Sequence, residues 1–195
     1  MSVDGRQPCT KCRGAQHVFD ATSRLWAPCL CVRRLTDADL ARRSGVTGEA
    51  RPLSDFGDGF STFYRTAVSF PGASSLIGPF PILADAAQSF LAQAARRLGG
   101  GRLIRLGDAV DAWFDRDRKR AFVIAALSAG SLALLCGDEP PHSWNGPILA
   151  TLADRRRLAG NPTLIAATGD IVALYGERVD GLFGPRSPSF MLRPT

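Results

Sequence analysis

Four cysteines fall within residues 9–31, as Cys9-x-x-Cys12 and, sixteen residues on, Cys29-x-Cys31. Thiolates in this spacing suit one tetrahedral zinc ion. A zinc ion held by four protein ligands has no open position, so its work is folding or presentation rather than catalysis. Two other readings use the same residues. The cysteines can pair as disulfides, although nothing else points to an oxidising compartment, or His17 can replace one thiolate. The fifth cysteine, Cys136, ends an apolar run and reads as a small buried hydrophobe. His142 lies in a loop with no partner suggested by sequence and is assigned no catalytic role. Trp26, just before the second cysteine pair, is expected to pack over the zinc module, with base stacking as the alternative.

A second place for chemistry is the turn Leu76-Ile77-Gly78-Pro79-Phe80-Pro81-Ile82-Leu83-Ala84-Asp85. It has the frame of a phosphate loop: an apolar strand, a Gly-Pro bend and an alanine-rich helix. A working loop needs glycines to let backbone N–H groups wrap the phosphates, a lysine to neutralise them and a Ser or Thr for magnesium. Here Pro81 removes a donor, and Phe80 and Ile82 are bulky. Counted from Gly78-Pro79, Ala84 and Asp85 stand where lysine and threonine would fall, and a carboxylate there repels triphosphate.

These residues need elements to position them. The chain has 195 residues, 45% of them hydrophobic, enough for one sizeable core beside a zinc module. A polar helix is predicted over Leu35–Arg43, starting at Thr36 with two aspartates in its first turn. Residues 44–72, rich in Gly, Pro and Ser, read as a linker packed without regular structure. From residue 73 short apolar runs alternate with helical stretches. The strands are Ser74–Ile77, Arg102–Leu106, Ser131–Cys136, Thr163–Thr168 and Ser189–Leu192. The helices are Ile82–Leu98, Asp108–Arg118, Arg120–Ala129, Trp144–Ala159 and Asp170–Arg178. Such alternation predicts a mostly parallel sheet covered on both faces. The expected organisation is a zinc-binding module with its following helix at 1–43, a linker at 44–72 and an α/β domain at 73–195.

The longest apolar stretch, Ala121–Cys136, is shorter than a membrane span, and the N-terminus lacks the plan of a signal peptide. A soluble cytoplasmic protein is expected, with no membrane partner. Net charge is +6, nearly all from arginine. Arginine forks suit phosphate, so nucleic acid is a candidate partner. Yet the clusters, such as Arg96-Arg97, Arg116 to Arg120 and Arg155 to Arg157, also read as solvated helix faces. Trp113 and Phe114, on an amphipathic stretch, read as core or interface.

Three segments together resemble the DnaC/DnaI-type helicase loaders of the AAA+ family. Cys9-Thr10-Lys11-Cys12-Arg13-Gly14 with Pro28-Cys29-Leu30-Cys31 is similar to that family's N-terminal zinc module, and Ser44-Gly45-Val46 follows where a Ser-Gly-Ile-Pro turn is common. The Gly78-Pro79 strand–turn–helix is the second segment. The third runs from Gly137 through Trp144 and Asn161-Pro162-Thr163-Leu164-Ile165 to Tyr175-Gly176-Glu177-Arg178.

The resemblance implies a P-loop/AAA+-like three-layer domain, and it also marks what is missing. With Gly137 and Trp144 aligned, Leu134 and Leu135 occupy the places of the acidic pair that binds magnesium. An alternative register uses Asp138 and Glu139 as that pair. Thr168 stands for the polar sensor residue, and the arginine finger falls at Gly181 or Leu182. Losses at every station imply a fold kept without its hydrolysis chemistry.

The leading expectation is therefore a catalytically inactive relative of helicase loaders, a pseudo-ATPase that binds no ATP. Zinc would be held by Cys9, Cys12, Cys29 and Cys31. The chain would act as an adaptor or regulator on a protein partner, a replicative hexameric helicase by family resemblance, with weak attraction to single-stranded DNA. Without nucleotide to cement a ring, a monomer or small oligomer is expected. The alternatives are an assembly scaffold unrelated to replication that reuses the fold, and an ATPase with an atypical site built on Asp138 and Glu139.

Overall fold

The computed structural model describes residues 10, 17–20, 25–28, 39, 42, 44–46, 50–98, 100–137, 139 and 142–193. Its centre is a five-stranded, wholly parallel sheet formed by β3 (Ala73–Ile77), β4 (Gly101–Arg105), β5 (Ser131–Cys136), β6 (Thr163–Ala167) and β7 (Ser189–Met191), in the order β4-β5-β6-β3-β7. Every residue of β5 and β6 is buried. That double burial is why these strands read as unbroken apolar runs instead of alternating ones.

The pleat sends alternate residues to opposite faces. On one face Leu76, Ala133, Leu135, Leu164 and Ala166 meet α2 (Phe80–Leu98) through Leu83, Ala87, Phe90, Leu91 and Ala94. On the other, Ile104, Leu132, Leu134, Ile165 and Ala167 meet α3 (Leu106–Phe114), α4 (Arg116–Ser128) and α5 (Asn145–Leu158). The result is the expected three-layer α/β arrangement. No helix among the described residues is long and apolar enough to cross a membrane.

The segment 44–72 differs from expectation. It carries a 3₁₀ turn at Leu53–Phe56 and a helix, α1 (Phe60–Ala67), and it belongs to the main core. Phe60, Phe63 and Ala67 are all buried on the α2 face. Their spacing puts them on one stripe of a helix. Helix propensity within Phe60-Ser-Thr-Phe-Tyr-Arg-Thr-Ala is poor, so tertiary packing fixes this helix. Further upstream, the Ser44 carbonyl accepts the Leu103 N–H at 2.6 Å, which ties the chain to edge strand β4.

Two other boundaries move for local reasons. The expected helix 108–118 breaks at Asp115, whose carboxylate accepts the Asp117 and Arg118 N–H groups and so caps α4. The expected helix 170–178 stops after α6 (Ile171–Tyr175), and a 3₁₀ turn, Glu177–Leu182, replaces its last part.

One buried charge holds the second face together. Arg156 of α5 is fully buried. Its guanidinium donates to the carbonyls of Ala126 and Ala129 at 2.8 and 2.7 Å, to Pro162 at 2.7 Å and to the Thr163 hydroxyl at 3.0 Å. Burial pushes its pKa down, while four acceptors hold the proton in place. An arginine from one helix thereby satisfies the orphan carbonyls at the end of another.

In the N-terminal region, β1 (His17–Asp20) pairs antiparallel with β2 (Leu25–Pro28), His17 lying opposite Pro28. Asp39 and Arg42, within the predicted polar helix, are helical and form an i,i+3 ion pair at 3.7 Å. Cys9, Cys12, Cys29 and Cys31 lie outside the described residues.

Candidate functional site

In open parallel sheets, ligands bind beyond the carboxyl ends of the strands, where the strand order reverses. Here that place is the end of β3. The register sets Ile77 beside Ala167 and Ala167 beside Cys136, so Gly78, Thr168 and Gly137 follow at one level. Only Gly78 and Pro79 separate β3 from α2. The Gly78 N–H is spent on the Ala167 carbonyl at 3.2 Å, and Pro79 and Pro81 have none. The turn is two residues long and poor in free backbone donors.

It is also covered. The Leu192 N–H donates to the Ile77 carbonyl at 2.7 Å, and the buried Leu192 side chain rests on Gly78. A Cβ at Gly78 would lie only 2.7 Å from that of Leu192, so glycine is required by close approach. Asp85 does not face this turn. It lies on the exposed side of α2, 4.0 Å from Arg51, because the helix already begins at Phe80. Counting along the chain thus put Ala84 and Asp85 nearer the turn than the helix allows.

The acidic stations are equally specific. Leu134 and Leu135 are buried, one on each face of the sheet. Glu139 is engaged elsewhere. It accepts the Gly137 N–H at 2.7 Å and the Tyr175 hydroxyl at 2.5 Å, joining the end of β5 to the end of α6. Burial is the main cause that raises the Tyr175 pKa, reinforced by Cys136 and Glu139. Gly137 has φ 107°, and a side chain there would run into Thr168. Thr168 itself is exposed. Asp138 lies outside the described residues. Gly181 and Leu182 close the 3₁₀ turn, Leu182 being buried in the second core. Cys136 is fully buried, as expected.

The structure gathers the remaining singled-out residues into a surface group. Phe114 meets His142 and Trp144 at ring-centroid distances of 5.8 and 5.7 Å. Both Phe114 and Trp144 are about half exposed. Trp113 is half-buried under Lys119, whose ammonium sits 4.3 Å from the ring centre. Leu192 and Tyr175 carried no signal as site residues in the sequence, because their roles depend on strand pairing and on a contact 36 residues away.

No protein-family model matches this sequence, and no curated protein matches it. Solved structures do match in fold. One is a crystal structure of DnaI, with a TM-score of 0.54 and 14% identity, covering 80% of this chain and 94% of that one. Another is the replication initiator DnaA bound to AMPPCP and single-stranded DNA, with a TM-score of 0.50 and 12% identity, covering 77% of this chain and 48% of that one. The chain shares a three-layer α/β fold with these two structures. At such identities the likeness is one of fold.

Proposed function

We propose that this chain is a binding protein, a helicase-loader-like adaptor that has lost its nucleotide chemistry. The observation that carries the reading is the two-residue Gly78-Pro79 turn under Leu192, at the place where the DnaI-like fold would keep its phosphates. Glu139, bonded to Gly137 and Tyr175, supports it further. With the body silent toward nucleotide, the chain acts by holding a partner. The likeness of its sequence to helicase loaders points to a replicative helicase in the cytoplasm. The test is calorimetric titration of the full chain with Mg-ATP. We expect no measurable heat at millimolar nucleotide, since each lost charge-assisted phosphate contact costs roughly 1.5–3 kcal/mol. A low-micromolar dissociation constant, abolished by Glu139→Ala, would overturn the reading and favour the atypical ATPase.

Zinc belongs to the same proposal. The β1–β2 hairpin supports it, because its register sets His17 beside Pro28, so the strand ends nearest the two cysteine pairs lie together. Cys9, Cys12, Cys29 and Cys31 are a donor set of the right softness for a structural zinc, which would fold the N-terminal module around it. Purified chain should carry one zinc. Cys29→Ser should release the metal and unfold the hairpin, leaving the sheet domain's unfolding transition in place. A disulfide between these cysteines, with no metal, would be the contrary result.

A further inference from the structure

We draw no further inference here: the strongest candidate, the open hollow at the amino ends of β5 and β6 lined by Ser69, Arg97, Ser128 and Asn161, carries nothing, because its one charged residue, Arg97, is exposed and already donates to Ser69, and nothing in the structure shows what covers it.

Discussion

The two faces of the sheet solve the same packing problem with different residues. On the α2 face the aromatics are inside. Phe60 lies 5.3 Å from Phe56, 5.7 Å from Phe63 and 5.2 Å from Phe190, and Tyr64 lies 5.2 Å from Phe90, measured between ring centres. On the α5 face the core is built from Leu, Ile and Ala with one buried arginine, while Trp113, Phe114 and Trp144 stand at its margin. The first face is closed by chain from both ends of the domain, α1 before β3 and Leu192 after β7. The second is closed by α3 to α6 and by the 3₁₀ turn, through Val179 and Leu182, and Phe114 and Trp144 remain about half exposed at its edge. The fully buried aromatic side chains thus lie on the α2 face, while on the α5 face Trp113, Phe122, Tyr175 and Phe183 are partly buried against the core.

The harshest way to break the second face is Arg156→Leu. The change keeps bulk but deprives the carbonyls of Ala126, Ala129 and Pro162 of their donor. Each unsatisfied buried acceptor costs about 1–3 kcal/mol, so a loss of about 4 kcal/mol is expected. That is a large share of the stability of any domain. Arg156→Lys should fall between, since an ammonium cannot span all the acceptors. Urea unfolding at neutral pH measures both. A loss below about 1 kcal/mol for Arg156→Leu would mean that water replaces the guanidinium and that this face is looser than its packing implies.

The strands were legible because burial on both faces writes itself as apolar runs, and Ser131–Cys136 was readable to the residue. The helix α1 was not, because glycines precede it and Thr, Ser and Phe dilute its propensity. Its signal was the i, i+3, i+7 spacing of Phe60, Phe63 and Ala67. At the strand ends, the burial of Leu134 and Leu135 could be read from the apolar run that holds them. The covering of Gly78 by Leu192 could not, since it depends on β7 pairing with β3 more than a hundred residues later in the chain. The surface concavity lined by Trp113, Trp144 and Arg178 was hidden for the same reason, since they come from three separate segments. Sequence reading recovered what is local or periodic, and missed what long-range pairing assembles.

A smaller effect tests the latch at the strand ends. Tyr175 donates to Glu139, and its pKa is raised above the ordinary value of 10.0, first by burial. A raised acid pKa means the folded chain holds the phenol proton more tightly than the unfolded chain does. Its stabilising contribution is therefore complete below pH 10 and declines as pH rises beyond it. Tyr175→Phe should cost about 1 kcal/mol at pH 7, the net value of one hydrogen bond, and should flatten this part of the decline. If stability falls as steeply above pH 10 in the variant as in wild type, Tyr175 is not the group responsible.

The smallest expected effect sharpens the comparison between faces most directly. Phe114 is 56% exposed and touches His142 and Trp144 only at the surface. Phe60 is fully buried among other rings. Phe60→Ala should cost about 3–5 kcal/mol, combining lost transfer energy with the cavity left behind. Phe114→Ser should change stability by less than about 0.5 kcal/mol, because the side chain is already half in water and leaves no void. Parallel urea unfolding of the two variants separates the cases. A cost above about 1.5 kcal/mol for Phe114→Ser would show that the aromatic group on the α5 face belongs to the core after all. Its exposure would then be no argument for recognition.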